Sequence, residues 1–126
     1  MTISIIDCGT NTFHLLIAET KRDSFQVLYK KNIAVKLAEG GIGKNMIAPA
    51  AFERGVNALL EFSATNRLYQ VSSVIAYATA AVRKAVNGHE FIAAVKEETG
   101  IEVKLIGGDK EAELIYYGVR QAVNMS

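Results

Sequence analysis

Two apolar runs flank a small polar hexamer near the start of the chain, and the fold has to be built around that junction. Thr2-Ile3-Ser4-Ile5-Ile6 enters it, Phe13-His14-Leu15-Leu16-Ile17-Ala18 leaves it, and Asp7-Cys8-Gly9-Thr10-Asn11-Thr12 lies between. The first run is rich in isoleucine, as a buried strand would be, and the second is an apolar run of strand length, so the pair predicts two strands with the hexamer as their turn. The hexamer carries one carboxylate, one glycine, two hydroxyls and one amide, with no bulky side chain besides the thiol. Such a turn serves as a plain hairpin connection or as an anion-binding loop. In the second case backbone N–H groups and hydroxyls face the anion and Asp7 holds a cation on it. The six residues alone leave both readings open.

The elements that follow restrict the architecture. A polar turn, Lys21-Arg22-Asp23-Ser24, separates the second strand, 13–20, from a third extended stretch, Phe25–Lys30, whose character continues through Ile33–Leu37. Three strands with short turns make an antiparallel meander. Residues 38–47 are Gly-rich. Their Gly43-Lys44 pair is not a P-loop, because Ala38 and Asn45 stand where that motif needs Gly and Ser or Thr. Pro49 suits the first turn of a helix. Phe52, Val56, Leu59, Leu60 and Ser63 are expected on its inner face, Glu53, Arg54, Asn57 and Glu61 away from it, and 66–70 at its close. A buried strand is predicted over 71–78, then Thr79 as the N-cap of a short helix, 80–85, ended by Asn87-Gly88. A helix from His89 to Thr99 stops at Gly100, and Ile101–Ile106 alternates as a strand does. Asp109 is expected to cap a last helix that packs through Leu114, Ile115, Gly118, Val119 and Ala122. A strand, a helical crossover and another strand imply a right-handed parallel connection. The order βββαβααβα is therefore an α/β fold: a mixed five-stranded sheet with helices on both faces, the order of a ribonuclease-H-like lobe.

Bulk properties exclude several function classes. At 126 residues this is one domain's worth of chain. A net charge of +1 argues against a general nucleic-acid binder. The single cysteine forbids an internal disulfide and fits a reducing compartment. No apolar run approaches a membrane span, and no signal peptide is visible at the N-terminus. A soluble cytoplasmic domain with no membrane partner is expected.

Parallel strands one, four and five would bring their C-terminal ends, Asp7, Thr79 and Gly107, to one edge, where α/β sheets bind ligands. Glu111 falls in the first turn of the last helix, near that edge. The helix dipole favours an acidic residue there without any function, and Glu113 has the same explanation. Arg83 offers a planar donor fork suited to phosphate, and is equally a solvated helical arginine. Cys8 reads as a small buried residue, His14 as a core or edge histidine and His89 as solvent-facing. No pair or triplet has transition-metal spacing.

Taken together these stretches resemble the N-terminal lobe of the exopolyphosphatase and guanosine pentaphosphate phosphohydrolase family, within the superfamily of actin, the chaperone ATPases and the sugar kinases. Asp7-Cys8-Gly9-Thr10-Asn11-Thr12 resembles that family's Asp-x-Gly-Ser-Asn-Ser loop, and Phe13–Glu19 continues it in the same way. Ala78-Thr79-Ala80-Ala81-Val82-Arg83 through Asn87 is similar to its Ala-Thr-x-Ala-x-Arg…Asn segment. Glu98–Val103 and Gly108-x-x-Glu111-Ala112-x-Leu114-Ile115-Tyr116-x-Gly118-Val119 follow its pattern too. The resemblance covers essentially the whole chain and implies hydrolysis of the terminal phosphoanhydride of polyphosphate, or of guanosine pentaphosphate, with Mg²⁺ or another divalent cation. It implies Glu111 as the residue that activates water, Asp7 beside the metal, Gly9, Thr10, Asn11 and Thr12 as the first phosphate loop, and Arg83 directed at the phosphate chain. It also implies a homodimer in the full-length protein. Lys110 and Glu113 reverse charges common in the family, and Ala48 replaces a common capping Ser. The family's second phosphate loop, Asp-x-Gly-Gly-Gly-Ser-x-Glu, is not among these residues, so the isolated lobe is expected to be inactive. A non-catalytic polyphosphate- or nucleotide-binding module and a phosphotransferase are the competing classes; Glu111 argues against the second.

Overall fold

The computed structural model describes residues 1–22, 24–41 and 45–106. Its elements are β1 (Thr2–Cys8), β2 (Thr12–Thr20), β3 (Phe25–Ala34), α1 (Pro49–Leu68), β4 (Ser73–Ala78), α2 (Ala80–Lys84), α3 (Gly88–Thr99) and β5 (Val103–Leu105). They form one mixed sheet in the order β3-β2-β1-β4-β5. β1, β2 and β3 are antiparallel neighbours, and β1, β4 and β5 run parallel. This is the predicted meander followed by parallel strands with helical crossovers. The expected last helix, with Asp109, Glu111 and Glu113, lies outside the described residues.

Alternation along the strands divides the sheet into two faces. Ile6 and Cys8, with Phe13, Leu15 and Ile17 from β2 and Ala76 and Ala78 from β4, join Leu59 and Phe62 of α1, Val82 of α2 and Phe91 and Val95 of α3 in the main core. Ile3 and Ala18, with Ile5 against them, form a smaller cluster on the opposite face. Asp7 shares that second face. It stands in register between His14 and Tyr77.

The inner face of α1 differs from the expected one. The buried residues are Ala51, Gly55, Ala58, Leu59, Phe62, Ser63 and Asn66, while Leu60 is exposed and Phe52 and Val56 are only partly covered. The cause is a close approach to α3. A Cβ on Gly55 would lie 2.6 Å from Phe91 Cε1. Phe91 is in turn held edge-on by Phe13 and Phe52, at centroid distances of 6.3 and 5.4 Å. The small residues thus mark the tight contact, and the large apolar ones flank it.

α1 begins at Pro49, as expected, but its cap is bare. Ala48 has the extended backbone of a capping residue (φ −64°, ψ 153°) and no side-chain oxygen to offer the first helical N–H groups. Ala48→Ser is therefore expected to raise the unfolding free energy by about 1 kcal/mol. Urea denaturation of the two forms measures this, and an unchanged midpoint would show that water already serves those N–H groups as well.

The extended stretch of β3 stops earlier than its sequence suggests. Val35, Lys36 and Leu37 leave the ladder, with Lys36 at φ 51°. Their N–H groups turn to the hairpin loop between β1 and β2, which fixes the geometry described next.

Candidate functional site

Three C-terminal strand ends lie level. Cys8 is in register with Ala78, and Ala78 with Leu105. The next residues, Gly9, Thr79 and Ile106, therefore form one edge. Two backbone bonds tie it together: Thr79 N–H to the Cys8 carbonyl at 3.4 Å and Ile106 N–H to the Ala78 carbonyl at 3.0 Å.

The loop on this edge comprises Gly9, Thr10 and Asn11, with Thr12 opening β2. The Thr10 carbonyl accepts from Leu37 N–H, and the Asn11 carbonyl accepts from both Val35 and Lys36 N–H, each at 2.9 Å. Peptide planarity directs each N–H opposite its carbonyl. The N–H groups of Asn11 and Thr12 therefore point away from residues 35–37, and the negative ends of these two peptides are occupied. Gly9 is needed sterically, since a Cβ there would stand 2.9 Å from the Thr12 carbonyl oxygen. Arg54, expected on the outer face of α1, is half-buried and holds the brace itself. Its Nε donates to the Val35 carbonyl at 2.8 Å, and its Nη2 to the Lys36 carbonyl at 3.3 Å and to Glu39 at 3.2 Å. Spacing on a helix could not show this, because the partners precede Arg54 by 15 to 19 residues.

Arg83 lies on α2, and its Nη1 donates to the Ile106 carbonyl at 2.9 Å. The guanidinium thus spans from α2 to the end of β5, and its other N–H groups make no hydrogen bond among the described residues. Thr79 occupies the N-cap position of α2, but its hydroxyl makes no cap bond. Asn87, expected only to end α2, instead clamps the Gly-rich segment. Its Oδ1 accepts from Ile47 N–H and its Nδ2 donates to the Ile47 carbonyl, both at 2.9 Å.

Asp7 is half-buried, and that burial pushes its carboxyl above the ordinary 3.8, partly offset by the neighbouring His14. His14 is exposed on the sheet, with Nδ1 2.7 Å from Asn32 Oδ1. Cys8 is buried, and both burial and the Asp7 charge push its thiol well above the usual range, so it is no nucleophile. His89 is exposed in the first turn of α3.

A carboxylate disfavoured by burial is one that a cation would stabilise. Among the described residues no group of three or more His, Cys, Asp or Glu could hold a metal. That donor set does not suit a zinc site or a closed cage. Asp7 is a single carboxylate, and Mg²⁺ is a cation commonly held by one or two carboxylates with water and substrate phosphate completing its shell. Asp7 would be its protein ligand here.

Asp7 and the loop 9–12 thus lie at the β1 end of this edge and Arg83 at its β5 end; Glu111 lies outside the described residues. A cavity of about 750 Å³ lies elsewhere: Gln70, Val71, Gly100 and Ile101 place it by the opposite ends of β4 and β5. None of the described helices is long and apolar enough to cross a membrane.

Comparison with known proteins agrees with this architecture. An exopolyphosphatase from Cytophaga hutchinsonii superposes with a TM-score of 0.88 at 41% identity, over 96% of this chain and 39% of that one. The Aquifex aeolicus member of the Ppx/GppA protein family superposes with a TM-score of 0.86 at 27% identity, over 94% of this chain and 39% of its own. The chain therefore spans about two fifths of the length of these relatives. RuvC from Thermus thermophilus shares the fold alone, with a TM-score of 0.51 at 13% identity. The family model described as Ppx/GppA phosphatase matches residues 16–126, from the middle of β2 onward, and the chain belongs to that family.

Proposed function

We infer that this chain is the N-terminal lobe of a two-lobed exopolyphosphatase, which releases phosphate from the end of inorganic polyphosphate by metal-assisted attack of water. The observation that carries this reading is the level edge of β1, β4 and β5, which carries the Gly9–Thr12 loop at the end of β1 and the Ile106-bound Arg83 guanidinium at the end of β5. In a member of a phosphatase family, that edge offers what a polyanion needs: backbone N–H groups turned away from the 35–37 brace, hydroxyls, an arginine fork and a carboxylate suited to Mg²⁺. The metal would neutralise charge on the terminal phosphates. Asp7 would hold it, loop and arginine would fix the phosphate chain, and Glu111 would orient the attacking water and accept its proton.

Phosphate release from polyphosphate by the two-lobed protein, with and without Mg²⁺, tests the reading. Mg²⁺-dependent release is expected, with little or none from the 126-residue lobe alone. Binding of polyphosphate without release would favour a non-catalytic module instead. The guanosine pentaphosphate reading has one observation in its favour, a cavity of about 330 Å³ beside the loop, lined by Thr10, Leu37, Ile47, Ala81 and Ala85.

A further inference from the structure

The face of the sheet that carries Asp7 changes character at one rung. Strand register lines up Lys104, Tyr77, Asp7, His14 and Asn32 across β5, β4, β1, β2 and β3. Two residues away on the same face, the neighbouring rung holds Ile75, Ile5 and Leu16. The polar rung is the one that adjoins the Gly9–Thr12 loop. In the antiparallel pair β1–β2, directly opposite residues share a face, with Cβ atoms about 4.5–5.5 Å apart. Asp7 and His14 are such a pair.

His14 has two acceptors beside it in register, the Asp7 carboxylate on β1 and the Asn32 carboxamide on β3. A carboxylate is the stronger acceptor. The ring nonetheless turns to Asn32, with Nδ1 2.7 Å from Oδ1, and no ion pair joins it to Asp7. Asn32 Oδ1 can only accept, so Nδ1 carries the proton, and the lone pair of the neutral ring is on Nε2. Nε2 makes no hydrogen bond among the described residues.

This is how metal-ligating histidines are held. One N–H is donated to a fixed acceptor, which sets the tautomer and the ring orientation and presents the other nitrogen to the cation. A surface histidine serving only as a counter-charge would turn its N–H to Asp7 instead. Two protein ligands from adjacent strands leave most of a coordination shell to water and phosphate, as a site open to a polyanion requires.

We propose that His14 is the second protein ligand of the cation site at Asp7, binding through Nε2, so that the site takes Mn²⁺ and other divalent cations that accept imidazole. The proposal rests on the reading of Asp7 as a cation ligand. Imidazole suits transition-metal cations, whereas Mg²⁺ keeps to oxygen. Asp7 thus supplies the charge that holds any divalent cation, and His14 discriminates among them.

The test is Mn²⁺ binding to the two-lobed protein, followed by pulsed EPR. A nitrogen bound directly to Mn²⁺ appears as a coupling in the spectrum. That coupling is expected in the wild-type protein and is expected to be lost in His14→Gln. The same variant should weaken Mn²⁺ by about tenfold or more. Mg²⁺, measured by competition, should weaken by less than about threefold. Asn32→Ala leaves the ring but removes its fixed acceptor, and should weaken Mn²⁺ about tenfold with the nitrogen coupling retained. A wild-type spectrum without nitrogen coupling overturns the proposal, whether or not the variants fold. Equal weakening of Mn²⁺ and Mg²⁺ in His14→Gln overturns it as well, since a merely structural role moves both cations alike. Asp7→Asn separates the two ideas. Mn²⁺ binding that is lost in Asp7→Asn, without nitrogen coupling in the wild type, removes His14 and spares Asp7. Mn²⁺ affinity unchanged in Asp7→Asn removes the cation site itself.

Discussion

Glu111→Gln in the two-lobed protein is expected to lower phosphate release by about 10²–10⁴-fold, with KM for polyphosphate held within about twofold. Gln keeps the size of the side chain and its ability to hydrogen-bond a water, but it cannot take up a proton. A loss confined to kcat would assign Glu111 to the step that deprotonates water. A loss confined to KM would assign it to substrate binding. Arg83→Gln provides the contrast. Arg83 is bonded to Ile106 at the strand edge, five residues before Glu111 in sequence. Its proposed partner is the phosphate chain in ground and transition states alike, so KM should rise along with any fall in kcat. A Glu111→Gln protein within tenfold of the wild-type rate would remove Glu111 from the chemistry and leave the phosphate loop and arginine as a binding device.

The sheet was legible because its strands are short apolar runs bounded by polar or Gly-containing turns, one of them with clear alternation. The Ile-rich entry to Asp7, the run from Phe13 and the alternation of Ile101–Ile106 read directly as strands, and the Gly100 stop appears as a left-handed C-cap at φ 77°. The inner face of α1 was less legible. Ala51, Gly55 and Ala58 have little hydrophobicity, so the residues that set the helix contact contribute least to the pattern that reveals it. The support of the loop was not legible at all. Arg54 reaches the carbonyls of Val35 and Lys36, and Asn87 reaches Ile47 across 40 residues of sequence. Both are polar side chains satisfying backbone groups that leave regular structure. Their partners are set by tertiary proximity, which no local period records. The reading of Asp7, Gly9–Thr12, Arg83 and Glu111 as a site came from resemblance to a family. Composition and spacing alone left the hexamer between a plain turn and an anion loop.

Asp7→Asn should move activity and stability in opposite directions. Asn has the same shape but no charge to offer Mg²⁺, so phosphate release is expected to fall by about 10²-fold or more. The fold should gain. Burial holds the Asp7 carboxyl above its ordinary 3.8, and the nearby His14 recovers only part of that cost. Between the unfolded and folded pKa values the native state binds more protons than the unfolded one. Stability from this group is therefore present at low pH, declines as pH rises through that window and stays reduced above it. The amide has no such dependence. At pH 7 the Asp7→Asn chain should unfold at a higher denaturant concentration than the wild type, by a small margin because the side chain is only half-buried, and the margin should close as pH falls below 3.8. Mg²⁺ supplies the internal check. If Asp7 is its ligand, millimolar Mg²⁺ should narrow the margin at pH 7 by stabilising only the wild-type protein. A margin that widens toward acid pH, or one that Mg²⁺ leaves untouched, would mean that Asp7 is neither strained by burial nor positioned for a cation. A destabilised and inactive Asp7→Asn protein would instead make it a structural residue of the β1–β2 hairpin. The stated outcome, an enzyme made sturdier and idle by one neutral atom exchange, is the behaviour of a carboxylate kept at the strand end for its charge.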